Sequence, residues 1–277
     1  MSIRYFLNTP FNLKRADMQP KRLLLPLIAL IIAVLCSIPF VAFSEEDVKN
    51  KRAYEVLEII DDLWRAGSSE AQLQMEVKTK HYTRTMVMDS WTKGKDKSLV
   101  TIIKPLKEKG TVSLKNGNTM YTYLPKTDRV IRLTSGMMMG SWMGSHFTND
   151  DLVKESRLSE DYIPEITFEG ERDGKLIIEF SLLPKPDAPV VWGKIVITVH
   201  SKGYLPIESQ YYDEDMILAR TLAFEDIKEM GGRSIPAVMH MVPADKPDEY
   251  TELVYKKIEF DIDLQDSIFS LMQLRRM

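Results

Sequence analysis

From Gly67 onward apolar residues recur at every second position, and they hold that period through most of a 277-residue chain. Leu73, Met75 and Val77 alternate with Gln72, Gln74, Glu76 and Lys78, the pattern of a strand with one face buried and one face wet. A helix does not fit, because its buried face returns only every three or four residues. Similar runs cover 82–92, 98–104, 110–115, 118–124 and 129–133, and a second series covers 162–170, 174–183, 190–199, 206–213, 217–228, 234–242 and 250–260. Turn sequences separate them: Lys93-Gly94-Lys95-Asp96, Asn116-Gly117, Pro125-Lys126-Thr127-Asp128, Asp173-Gly174, Lys202-Gly203 and Gly231-Gly232. Strands joined this closely pair with their chain neighbours. The expected fold is therefore mainly β, an open, incomplete antiparallel barrel of eleven to thirteen strands with covering helices.

An open sheet of this size needs its apolar face covered. One cover is a helix from Glu45 to a stop at Gly67, with Ala53, Val56, Leu57, Ile59, Ile60, Leu63 and Trp64 on one stripe. The other is the segment Ser135–Phe147, thirteen residues with four Met, three Gly, one Trp, one Phe and no formal charge. It is too glycine-rich for a core helix and too apolar for a solvated loop. Methionine, unbranched and polarizable, suits a surface that must fit more than one partner. Met137, Met138, Met139, Trp142, Met143 and Phe147 form either a lid, moving on hinges at Gly136, Gly140 and Gly144, or a fixed plug. After it, Thr148 followed by Asp151 reads as a capped helix start, and Asp266 reads as the cap of a last short helix carrying Ile268, Phe269, Leu271 and Met272.

Between helix, lid and sheet a cavity is expected. Its candidate lining is Met86, Met88, Trp91, Trp192, Met239 and Met241, with Met120 or Tyr121, Tyr211 or Tyr212, and Phe224. Ordinary core packing accounts for any one of them; the number of methionines argues for a binding surface. Arg129 and Arg132, beside the lid, are candidate contacts for acidic headgroups or a partner loop, against a solvated rim as the default.

The first residues carry Arg4, Lys14, Arg15, Lys21 and Arg22 against Asp17 alone, and Leu23–Phe43 has no charge. That is the pattern of a secretory signal, residues 1–44, with cleavage expected between Ser44 and Glu45. The alternative is a retained membrane anchor, since roughly 20 apolar residues span a bilayer. Cys36 could mark an acylated lipoprotein, but Leu35 stands where a small residue is required. Beyond position 44 the chain has 32 Lys and Arg against 39 Asp and Glu, which disfavours a nucleic-acid partner. Cys36 is the only cysteine, so residues 45–277, treated as one domain, hold together without a disulfide.

Chemistry is thin. Of the acidic groups, Asp61-Asp62 and Asp213-Glu214-Asp215 read as solvated, Asp150-Asp151 as acids in a helix's first turn, and Ser141 lies one place too early for a nucleophile elbow in Gly140–Gly144. His81, His146, His200 and His240 lack metal-ligand spacing. Met239-His240-Met241 with the methionine cluster and His146 offers soft donors for copper, but the histidine of such a strand faces away from both methionines. No enzyme activity, cofactor or resident metal is expected.

Several stretches together resemble a known family. They are Lys104-Pro105, Lys109-Gly110-Thr111, Met120 to Arg132 (MYTYLPKTDRVIR), Met143 to Leu152 (MGSHFTNDDL), Lys202 to Pro206 (KGYLP) and Ser267 to Ser270 (SIFS). The resemblance is to outer-membrane lipoprotein-sorting proteins, relatives of the Lol-type periplasmic carriers, and it spans nearly all of residues 45–277. Gly-Ser-x-Phe-x-x-x-Asp-Leu, at Gly144–Leu152, is its most specific part. The resemblance implies an unclosed barrel that carries acyl chains across the periplasm in an apolar cavity, with transient membrane contact. It also implies an inner-membrane transporter or exporter complex as partner, and a cargo that is a lipid or an acylated lipoprotein. A lipid-sensing adaptor subunit is the alternative. His146 departs from the pattern, standing where this branch has an acid.

Overall fold

The computed structural model describes residues 45–154 and 157–276. The expected signal peptide, its cleavage site and the anchor alternative lie outside the described residues. Thirteen strands form one antiparallel sheet: β1 Ser68–Lys78, β2 Thr83–Lys93, β3 Lys97–Lys104, β4 Val112–Asn116, β5 Thr119–Leu124, β6 Arg129–Arg132, β7 Tyr162–Arg172, β8 Lys175–Pro184, β9 Lys194–His200, β10 Pro206–Tyr212, β11 Leu218–Met230, β12 Arg233–Pro243 and β13 Tyr250–Phe260. The order is β6-β5-β4-β3-β2-β1-β13-β12-β11-β10-β9-β8-β7. The first and last strands in the chain pair at the centre, and β6 and β7 are left as unpaired edges. The sheet is thus an unclosed barrel, as the alternation predicts.

The two edges are successive strands in the chain, so the connection between them, residues 133–161, has to pass from one edge to the other. It contains the methionine-rich segment and three short helices: α2 Ser135–Met138, α3 Asn149–Lys154 and α4 Leu158–Asp161. The long helix α1, Glu45–Asp62, precedes β1. It ends before Gly67, and the chain reverses at Ala66, whose φ is +51°. Ala53, Val56, Leu57 and Ile60 of α1 are buried against Ile178, Phe180, Leu182, Ile195 and Ile197 of β8 and β9. Burying an aliphatic side chain of this kind contributes about 1.5–3 kcal/mol. Arg52 adds a forked pair to Glu169 of β7, at 2.7 and 2.8 Å.

The face of the sheet toward α1 and the connection is the inner one. Six methionines of strands β1, β2, β5 and β12 share one inner cluster: Met75, Met86, Met88, Met120, Met239 and Met241. On the outer face Leu99, Val112 and Leu114 are covered by Phe269 and Leu274 from two C-terminal turns. Asp266 does not cap the first of these, as the sequence suggests. Its carboxylate lies 2.8 Å from Lys93 and 2.7 Å from Lys97, and their hydrogen bonds hold it down to about 2. The strand expected over 190–199 begins only at Lys194. Just before it, Gly193 donates its backbone N–H to the Tyr212 carbonyl at 3.0 Å and lies against the end of β10, where an added Cβ would lie 2.4 Å from the Asp213 carbonyl oxygen.

Asp61 is not a solvated acid. It is buried at the end of α1, where its carboxylate accepts the backbone N–H groups of Leu158 and Ser159 at 3.2 Å each and the Ser159 hydroxyl at 2.8 Å. Burial nevertheless pushes its pKa up to about 6, against those donors and Lys95 at 3.9 Å. A folded-state pKa above the unfolded one favours folding most at low pH, and that gain is lost as pH rises through about 6. Between pH 7 and pH 4, wild type should therefore gain about 2 kcal/mol that Asp61→Asn does not gain, measured as the difference between their urea unfolding curves. Parallel pH profiles would contradict this account of Asp61.

Candidate functional site

The connecting segment folds over the inner face as a compact loop, held at four places. Trp142, 5% exposed, donates its indole N–H to the Ser113 hydroxyl of β4 at 3.1 Å. Arg84 of β2 donates to the Met143 carbonyl with one guanidinium nitrogen and to Glu108 at 2.9 Å with the other. His146 meets β13 and the loop before it: its backbone N–H donates to the Thr251 hydroxyl at 3.0 Å, Nδ1 lies 2.8 Å from the same oxygen, and Nε2 lies 3.3 Å from Glu249. Lys80 and His146 both stabilise the Glu249 carboxylate, which is held below its ordinary value. The fourth anchor is Asp151.

Asp151 has two tasks. Its carboxylate accepts the Thr148 N–H at 2.7 Å while Thr148 Oγ1 accepts the Asp151 N–H at 3.1 Å, a reciprocal cap that starts α3 as the sequence predicts. The same carboxylate takes both nitrogens of the Arg220 fork, at 2.7 and 2.5 Å. Arg220, on the inner face of β11, is 5% exposed and lies against the rings of Trp192 at 4.3 Å and Tyr211 at 4.4 Å. Sequence reading missed this pair by assigning Asp151 to the cap alone, yet a signal was present. Arg220 alternates with Leu222 and Phe224, so it occupies a core position and requires a partner.

Beside this pair lies an open cavity of about 170 Å³. Its walls come from β1–β3 and β9–β13, the end of α1 and the connecting segment, with Trp64, Leu222, Phe224 and Tyr255 among the apolar side chains. Trp64 stacks on Phe224 at 5.7 Å and Tyr255 at 6.4 Å.

Of the residues singled out from sequence, Trp142, Phe147, Trp192, Met239 and Met241 line this cavity, as do Tyr211 and Phe224. Met86, Met88 and Met120 sit on the same inner face, fully buried, and Met138, Met143 and Phe147 pack against their cluster. That part of the inner face is filled by the connection. Trp91 is a correction: it stands at odd parity to Met86 and Met88 and packs into the outer cluster, with Tyr121. Met137 and Met139 also differ from expectation, being 41% and 50% exposed on the outside of the loop. Among the proposed hinges only Gly144 has a left-handed backbone, with φ +70°, whereas Gly136 lies inside α2 with open space around it. Gly140 is confined instead, because an added Cβ would lie 3.0 Å from the Met137 carbonyl oxygen. Arg129 and Arg132 are exposed on edge strand β6.

His240 faces away from Met239 and Met241, 3.7 Å from Glu252 and tilted against the Tyr250 ring. The Ser141 hydroxyl donates to the Ser145 carbonyl.

A family model described only as uncharacterized protein matches residues 94–276. The chain belongs to that family. No curated protein matches the sequence. Among solved structures, a DUF1329 family protein from Desulfovibrio piger is 21% identical with a TM-score of 0.74, covering 82% of this chain and 99% of its own. An outer membrane lipoprotein-sorting protein domain from Vibrio parahaemolyticus is 22% identical with a TM-score of 0.72, over 82% of this chain and all of its own. A LolA superfamily protein from Nitrosomonas europaea is 22% identical with a TM-score of 0.68, over 80% and 98%. What this chain shares with these proteins is the fold, an open antiparallel half-barrel.

Removing one partner of a buried ion pair leaves an uncompensated charge, so Asp151→Ala should cost about 3–5 kcal/mol in chemical denaturation. The double variant Asp151→Leu/Arg220→Met should recover most of that loss. Equal losses in the two variants would show that the charge pair is not what holds this anchor.

Proposed function

We propose that this protein is an exported carrier, its residues 1–44 a cleaved signal peptide and its residues 45–277 a single carrier domain. In the periplasm it reversibly takes up a lipid, or the acyl chains of a lipoprotein, and passes it between envelope membranes. The supporting observation is a cavity on the inner face of an unclosed sheet, bounded on one side by a loop that also fills the methionine-lined remainder of that face. The fold shared with a lipoprotein-sorting domain supports the same reading.

Reversibility follows from competition. Each buried methylene contributes about 0.8 kcal/mol, so an ordinary acyl chain in a preformed dry slot would be held almost permanently. A loop whose Trp142, Met138, Met143 and Phe147 fill the space of the cargo offsets much of that gain, because those side chains lose contacts when cargo enters. In this reading the connection is a lid. The methionines beneath it adapt to chains of different shape.

The membrane contact is assigned to the loop between β3 and β4. Leu106 is 87% exposed and stands among the exposed cations Lys104, Lys107 and Lys109, a small apolar tip in a basic collar. Glu108 of the same loop holds Arg84, which holds the lid at Met143. Arg129 and Arg132 remain exposed for headgroups or for the membrane transporter that would supply or receive the cargo.

The lid is tested by locking it. His146→Cys/Thr251→Cys places two thiols where backbone and side chain already touch, and the chain beyond the leader has no other cysteine. Oxidised protein should fail to take up a fluorescent fatty acid, and reduction should restore uptake. Full uptake by the oxidised form would make the segment a fixed plug. Organic extracts of natively purified protein should contain about one acyl lipid per chain.

A further inference from the structure

Arg220 is an expensive residue to place inside an apolar hollow. It is 5% exposed and lines the cavity, and its Nε finds no hydrogen-bond partner among the described residues. Two aromatic rings hold the guanidinium plane, and the fork is filled by a carboxylate that the lid itself supplies. If the lid moves away, Asp151 leaves with it, and the cation is stranded unless another anion takes its place. A hydrocarbon or a neutral ester does not provide one. A carboxylate or phosphate on the cargo does, because both match the planar two-nitrogen fork.

We propose that Arg220 is the headgroup site of the cavity and that its ligand is an anionic amphiphile, whose carboxylate or phosphate displaces Asp151 from the guanidinium as the acyl chain enters. This rests on the carrier reading above and narrows it. Asp151 lies at the start of α3, so its displacement releases the tie between that helix and β11. Anionic cargo thereby opens the lid that neutral cargo would have to break open. The inference also disfavours a fully acylated lipoprotein anchor as preferred cargo, since its acyl esters and amide carry no anion.

The test is direct binding of four probes to the purified protein by calorimetry: palmitoleic acid, its methyl ester, 1-oleoyl lysophosphatidic acid and 1-oleoyl glycerol. The acid should bind about tenfold or more tightly than its ester, with the ester still measurable. The preference should fall to near unity in Arg220→Gln and in the double variant Arg220→Gln/Asp151→Asn, which keeps a neutral hydrogen-bonding pair and guards against misfolding of the single one. Asp151→Asn alone weakens the tie that either probe must break, and should strengthen binding of acid and ester together while the preference for the acid persists. Comparison of the fatty acid with the lysophosphatidic acid assigns the carboxylate or the phosphate as the better head. Equal affinity for acid and ester in wild type, or an unaltered preference in the double variant, would overturn the Arg220 assignment and leave the carrier standing. Failure of all four probes to bind would remove the carrier reading itself.

Discussion

An apolar inner surface that its own sheet does not close over is the constraint on which the rest of this structure depends. Thirteen antiparallel strands curl, yet β6 and β7 stop short of pairing, and the inner face between them would stand open to water. Two elements answer it. α1 covers β8 and β9 with an ordinary aliphatic interface, and the connection from β6 to β7 covers much of the rest. They differ in kind, because the second must span the gap between the sheet edges and is built from short pieces rather than a continuous helix.

Short pieces bury little surface each, so polar anchors do what apolar area does elsewhere. The loop is attached through Trp142 to β4, Arg84 to β2, His146 to β13 and Asp151 to β11, while Asp61 holds α4 to the end of α1. Each anchor is a hydrogen bond or ion pair whose free-energy contribution is small when made and large when one partner is removed. Such a loop is well placed when closed and can be released by a competitor for its partners, whereas a purely hydrophobic cover could be displaced only by a larger apolar surface.

The placement of the candidate site residues follows from strand parity, and so does the principal error in reading them. Met86, Met88 and Trp91 are three residues of one strand, and the two-residue repeat already puts the tryptophan on the opposite face. The same rule separates Met120 from Tyr121 and His240 from its flanking methionines. Arg220 could have been noticed as a charge at an inward position. Its partner could not, because α3 is too short to show a buried face and the local cap with Thr148 already accounts for Asp151. Asp61 was hidden in the same manner, since its burial depends on α4, an element of four residues brought to it from far along the chain.

By itself, the sequence determined the succession of strands along the chain, the antiparallel meander, the leading helix and the capped turn at Thr148, because periodicity, turn chemistry and capping are local properties of neighbouring residues. Only the tertiary structure decided that the first and last strands meet at the centre of the sheet. It also decided that the connection carrying the methionine-rich segment joins the two free edges, and that an acid from that connection meets an arginine 69 positions away between two aromatic rings. Those are contacts between distant parts of the chain, set by how the whole sheet curls, and no local pattern encodes them.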